Sequence, residues 1–350
     1  MERKNNFDAV RILAASAVIY GHAHPLTASG DLVFLGNTVQ SFAVKVFFIV
    51  SGFLVARSWA WDPSPLRYLS KRMLRIFPGL LLLLLLTVLM GACMTTLPVG
   101  EYLANPGTRL YFFYNAILYP AYSLPGVFAG LPYPSAVNGS LWSLPAEFLM
   151  YLVFPAVYYV GRRLGGNVLL VVFTLALCVA SLYWVRVSPP SDPLVFYGTG
   201  LPSVLDAGPY FFLGAVFSLT RIRDHLSPSI ALFLVGALIF FHPVSGLWTE
   251  LALYLVAPYC VLALATAASP GLQHAGRFGD PSYGIYLYGW PMQQIALHFI
   301  PNLTPIGNTL IALPLAAVAA YGSWHLIEKR ALAAKPSRKA RSNLNKMESK

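Results

Sequence analysis

Ten apolar runs, each close to the roughly 20 residues that a helix needs to cross a bilayer, leave this chain little choice of fold. They lie at about residues 7–25, 39–57, 77–97, 141–161, 167–187, 204–220, 229–246, 249–268, 281–300 and 308–328. Hydrophobic residues make up 57% of the chain and charged ones only 11%, against about 25% charged in soluble domains. A water-soluble core is thereby excluded. Inside lipid the backbone must satisfy its own hydrogen bonds, so runs of this length read as helices. The expected fold class is all-α: a polytopic membrane helix bundle of about ten transmembrane helices.

The net charge of +11 is a topology signal rather than a nucleic-acid signal, because 20 of the 24 Lys and Arg fall in alternate connections and the tail. The positive-inside rule puts that side, and with it both termini, in the cytoplasm. Residues 1–330 read as one transmembrane domain and 331–350 as a basic, disordered cytoplasmic tail held near anionic lipid by its charge. Cys93, Cys178 and Cys260 each sit in an apolar run without metal-ligand spacing and read as small core residues. No metal is expected. The loops 98–140 and 188–203, rich in Pro and Gly, lie on the opposite side and are placed to shape the choice of a second substrate.

Polar residues inside the spans carry the chemistry, since a charge in lipid costs about 2.5–3.5 kcal/mol and usually faces a bundle interior. Arg11 and His22 are 11 residues apart in the first run. That is close to three helical turns, so they share a face, roughly 16 Å apart, and are expected to line one interior path. Asp8 is three residues from Arg11 and in reach of it. In the second run Lys45 needs a counter-charge that the sequence does not name, Ser51 offers a hydroxyl, and Gly52 permits close approach of another backbone. Lys71, Arg72 and Arg75 share one side of a helix at a membrane edge. They read either as positive-inside charge or as a clamp for phosphate groups. Glu147 is the sole carboxylate of its span and reads as a counter-ion or as a group that orients the histidine. Tyr283 and Tyr286 share a face of the ninth run.

Taken in order, Arg11-x10-His22, Val44 to Leu54, Lys71 to Pro78, Leu141 to Phe148, Ser282 to Leu287 and Trp324 to Lys329 resemble the acyltransferase 3 family of bacterial integral-membrane acyltransferases. The resemblance implies transfer of an acyl group, usually acetyl, from cytosolic acyl-CoA to a hydroxyl of a cell-surface or exported carbohydrate or glycolipid. It also implies a multi-pass protein of the bacterial cytoplasmic (inner) membrane. In that reading Arg72, Arg75 and Lys71 hold the phosphates of acyl-CoA, and the donor's arm passes Arg11 towards His22. His22 is then either general base or transient acyl carrier. Glu147 or Asp8 orients His22 or balances Arg11, and Ser51 or Tyr283 stabilises the tetrahedral intermediate. One departure stands out: many relatives carry a histidine where this chain has Gly289. A rival reading, an exporter of an acylated or anionic small molecule, calls for inverted repeats, and the sequence shows none. No oligomeric state can be read from it.

Overall fold

Helices occupy all ten apolar stretches in the computed structural model, which describes residues 5–336 apart from 165, 193 and 242–245. The long helices are α1 (Phe7–Leu26), α2 (Val39–Trp61), α3 (Pro65–Met94), α6 (Ser143–Arg163), α7 (Val168–Ser181), α8 (Leu201–Leu219), α9 (Pro228–Phe241), α10 (Gly246–Thr266), α11 (Ser282–Phe299) and α12 (Pro305–Ser323). Short helices α4 (Val99–Ala104) and α5 (Pro106–Ala116) sit in the longest loop, and α13 (Lys329–Ala333) follows α12 through a π-helical turn. The only strands among the described residues are two small antiparallel hairpins, β1 (Val33–Phe34) with β2 (Asn37–Thr38) and β3 (Val195–Phe196) with β4 (Thr199–Gly200).

Six of the helical stretches, those built on α2, α3, α6, α7, α10 and α12, are long and apolar enough to cross a membrane. The other four fall short for physical reasons. α1 and α11 carry the polar residues of the interior, including Arg11, His22, Gln293 and Gln294, α8 is diluted by Asp206, two prolines and two glycines, and α9 is only 14 residues long. Apolar side chains cover the periphery: Leu81, Leu85 and Leu89 on α3, Val172 and Val179 on α7, and Phe233 and Phe240 on α9 are all exposed. That surface suits hydrocarbon rather than water. Cys93 is also exposed, on the outward side of α3, so only Cys178 is a buried core thiol as expected.

The interior forms where small residues let helices touch. A side chain on Gly52 of α2 would collide with the Phe211 carbonyl of α8, and one on Gly214 of α8 with the Ile49 carbonyl of α2. Those two glycines bring the backbones together and make α2–α8 the tightest crossing. Gly284 packs in the same way on Ala320, joining α11 to α12. α1 lies between α2 and α11.

Helix α3 starts about 12 residues earlier than the apolar run beneath it. Pro65 occupies the first turn, where its missing N–H costs nothing, and Pro78 is accommodated within the helix. Lys71, Arg72 and Arg75 are therefore rigidly part of the same rod as the apolar segment, rather than on a separate cytoplasmic stretch. The expected disordered tail falls mostly on 337–350, outside the described residues; helix α13 extends past residue 330 and packs against α3.

Candidate active site

Two cavities occupy opposite ends of α1. The first, of about 350 Å³, is lined by Arg11, Lys71, Arg72, Arg75 and Lys335, by Glu147 and Asp280, and by hydroxyl-bearing Ser51, Ser143, Tyr283 and Tyr286. Its lining thus holds five cations and two carboxylates. The second, of about 630 Å³, is lined by His22, Asp31, Asp206, Trp142, Trp290, Tyr122 and Tyr133 among others. Arg11 and His22, expected on one path, thus lie in different cavities. Val44 of α2 borders both, and the neighbouring residues Trp142 and Ser143 face one cavity each. One stripe of α2, Ser41, Val44, Phe48 and Ser51, runs along the two at helical spacing.

In the first cavity the predicted donor-side cations differ in how far they are engaged. Lys71 lies 3.0 Å from Asp62, which Arg67 also holds; that double contact, led by the Arg67 hydrogen bond, keeps the Asp62 carboxyl well below the usual range. Arg75 pairs with Asp280 at 2.7 Å and lies over the Tyr283 ring. Arg72 has no carboxylate partner among the described residues. Its guanidinium sits 5.7 Å from the centres of both the Tyr68 and Tyr151 rings; one NH2 donates to Ser58 Oγ at 3.4 Å and the buried Nε has no partner among the described residues. Arg11 pairs with Asp8, as its spacing implied, and reaches Asp280 at 3.3 Å.

Glu147 does neither of the things expected of it. It touches neither His22 nor Arg11; it accepts hydrogen bonds from Ser51 Oγ at 2.6 Å and from Tyr151. Ser51 is thereby committed, and the Tyr283 hydroxyl donates to the Ile76 carbonyl at 2.9 Å. In this arrangement neither offers a spare O–H to an oxyanion. Tyr286 is tied to Ser143 and to the Ser140 carbonyl.

His22 is 8% exposed, its ring edge-on to Trp290 with centroids 4.8 Å apart. Its Nδ1 is buried and has no protein hydrogen-bond partner among the described residues. No carboxylate is hydrogen-bonded to it among the described residues. Loop 98–140 supplies Tyr122, Tyr133, Ala136 and Gly139 to this cavity, and loop 188–203 supplies Pro202 and Ser203. Trp290 is fixed by its indole N–H on the Ala136 carbonyl and by Gly139, where a side chain would strike the ring.

A profile described as an acyltransferase domain, that of the acyltransferase 3 family, matches residues 4–327. The chain belongs to this family. It is 28% identical over 342 residues to an O-acetyl transferase of Shigella phage Sf6, covering 95% of this chain and 97% of that one. It is 27% identical to nodulation protein 10 of Rhizobium leguminosarum bv. viciae, with 97% and 96% covered. Against the peptidoglycan O-acetyltransferase OatA of Listeria monocytogenes it is 25% identical, covering 92% of this chain and 55% of that protein. No solved structure matches.

For a member of the acyltransferase 3 family the glycine at 289 has a steric cause. A Cβ there would lie 2.6 Å from Ile19 Cγ1, so α1 and α11 leave no room for a histidine. Gln293 and Gln294 instead tie α11 to its surroundings, Gln293 through the Ile19 carbonyl and Asn308, Gln294 through the Tyr133 and Ala136 carbonyls.

Sequence reasoning missed Asp280, the carboxylate that gathers Arg11 and Arg75. Burial works to raise its pKa, but Arg75 and then Arg11, with the hydrogen bonds from Ser282, overcome that and hold it well below the ordinary range. Its signal was its place one proline before the Ser282–Tyr283 motif. Also missed were the partners of Lys45. Its ammonium, 1% exposed, lies 2.8 Å from Asp206 and 3.3 Å from Glu250, and Arg186 lies 2.8 Å from Glu250. Asn37 and Tyr210 complete this buried cluster.

Proposed function

We propose that this acyltransferase moves an acyl group, acetyl in the first instance, from acyl-CoA in the first cavity to a hydroxyl of a carbohydrate or glycolipid in the second. The observation that carries this reading is the pair of chemically opposite cavities meeting at Val44. One is cationic and suits phosphate. The other pairs aromatic faces with Asp31, Asp206 and His22, a lining suited to a polyol. The O-acetyl transferase relatives named above support it. All ten long helices cross the membrane in this proposal, the polar ones enclosed by the apolar ones. The basic first cavity and both termini then face the cytoplasm, and the protein sits in a bacterial inner membrane.

The first cavity is too small for a whole CoA, so the nucleotide stays at the mouth, where Arg72, Arg75 and Lys71 meet its phosphates, and the arm fills the interior. In the direct route His22 takes the proton of the acceptor hydroxyl as its oxygen attacks the thioester carbonyl. The C–S bond breaks, the ester C–O bond forms, and the proton passes to the leaving sulfur. In the alternative route the imidazole carries the acyl group between the cavities. Glu147 acts here as a positioning residue through Ser51 and Tyr151.

The test is the acylation state of the host's surface glycans with wild type and with His22→Ala at equal membrane abundance. Loss of a general base lowers rates roughly 10²–10⁴-fold, so one O-acyl modification is expected to disappear. Unchanged acylation removes His22 from the mechanism. Unchanged glycans after deletion of the whole gene remove carbohydrate as the acceptor class.

A further inference from the structure

The rim of the first cavity is completed by a residue that lies beyond every motif in the sequence. Helix α13 packs against α3, and the chain after it turns on a hydrogen bond from the Lys335 N–H to the Leu332 carbonyl. Leu332 and Lys335 both line the cavity together with Lys71, Arg72 and Arg75. Lys335 is an exposed residue and also a lining one, so it stands at the mouth. No carboxylate pairs with its side chain among the described residues.

We infer that Lys335 is a phosphate ligand of the acyl donor, closing the cationic ring from the C-terminal end of the bundle. The assignment rests on the reading of the first cavity as the donor site. Uncompensated like charges gathered at one opening are unfavourable unless an anion joins them. Here α1 contributes Arg11, α3 contributes Lys71, Arg72 and Arg75, and the C-terminal segment contributes Lys335. Facing them are Glu147, already engaged by Ser51 and Tyr151, and Asp280, already shared by Arg75 and Arg11; with Asp62 holding Lys71 and Asp8 holding Arg11, Arg72 and Lys335 are the two cations left without a carboxylate among the described residues. The tyrosines on this side, Tyr151, Tyr283 and Tyr286, are all hydrogen-bonded. The state of Lys335 without ligand fits. Loss of hydration, then Arg75, Arg72, Lys71 and Arg11, bring its pKa down to about 8.

That value gives the site a pH signature. An anion binds the protonated lysine, so affinity is greatest below about pH 8 and declines above it, by at most about tenfold per unit until the pKa of the complex is reached. Ordinary carboxylates and guanidinium groups keep one charge state between pH 7 and 9. A step in that window that an arginine at 335 removes therefore belongs to Lys335.

The experiment measures equilibrium binding of a thioether analogue of acetyl-CoA to the full-length protein in nanodiscs, with pantetheine as a phosphate-free control. Lys335→Ala is expected to weaken the analogue about tenfold at pH 7, the value of one charged hydrogen bond, with pantetheine unchanged and the decline above pH 8 abolished. Lys335→Arg keeps tight binding and stays flat to pH 9. Equal affinity of wild type and Lys335→Ala for the analogue at pH 7 overturns the assignment, as does an equal loss for pantetheine. Arg72→Ala with Arg75→Ala separates the two levels. If that pair weakens the analogue and Lys335→Ala does not, Lys335 alone is wrongly assigned. If neither weakens it, the donor site itself is wrongly placed.

Discussion

Two of the ionic clusters in this bundle, around Lys45 and around Asp280, differ in what they leave over. Around Lys45 the account is balanced: Lys45 and Arg186 against Asp206 and Glu250, with Asn37 and Tyr210 supplying hydrogen bonds. Around Asp280 it is not: Asp8 and Asp280 answer Arg11 and Arg75, but Arg72 stands beside them with no carboxylate among the described residues. At the centre of the balanced cluster Lys45 and Glu250 are 1% and 3% exposed, while Asp206 and Arg186 at its edge keep 18% and 27%; Arg75 keeps 20% and lines the first cavity. Charge balance makes the first cluster a structural joint between α2, α8 and α10. In the proposed function, the surplus charge at Arg72 belongs to a place that receives a ligand.

The comparison is most severely tested at Lys45. Lys45→Met leaves two buried carboxylates with only Arg186, and breaking a buried pair costs about 3–5 kcal/mol. Thermal unfolding of the purified protein is expected to drop accordingly, with Glu250→Gln added to the same chain restoring part of the loss. A stable Lys45→Met protein with a selective defect in turnover would instead make this cluster functional.

Arg75→Ala is expected to act on the ligand rather than the fold. A lost charged hydrogen bond of about 1.5–3 kcal/mol corresponds to a KM for acyl-CoA raised roughly 10- to 100-fold, with a far smaller change in unfolding temperature than at Lys45. If the unfolding temperature falls as it does for Lys45→Met and KM holds, the two clusters are the same kind of object.

The smallest effect belongs to Arg72→Lys. The charge stays, but the planar stacking between Tyr68 and Tyr151 goes, and such contacts are worth about 0.5–1 kcal/mol where solvent has access. Steady-state kinetics are expected to show KM up by roughly twofold to fivefold. A change of more than a hundredfold would mean that Arg72 does more than hold charge.

What was legible in the sequence was local. The helical stretches, the common face of Lys71, Arg72 and Arg75, the Asp8–Arg11 pair and the close approach at Gly52 all follow from spacing within one element. What escaped depends on which helices pack together. Lys45 meets Asp206 and Glu250 from helices far along the chain, and no spacing rule connects them. Glu147 was the reasonable partner for a membrane cation or a histidine, yet the crossing of α2 with α6 gives it Ser51 and the next turn of its own helix gives it Tyr151. The face shared by Arg11 and His22 is real. That it is divided between two cavities is decided by Val44 on a different helix.

That division has a consequence for the cell. In the proposed orientation, a single water-filled passage joining a cytoplasmic mouth to an outer chamber would let protons and ions run down their gradients. Among the described residues the side chain common to both chambers is the isopropyl group of Val44, flanked on the first-cavity side by Phe47 and Phe48. An apolar plug of that kind passes a small acyl fragment far more readily than a hydrated ion. In the proposed function the bundle hands carbon across the membrane while its apolar boundary holds ions back.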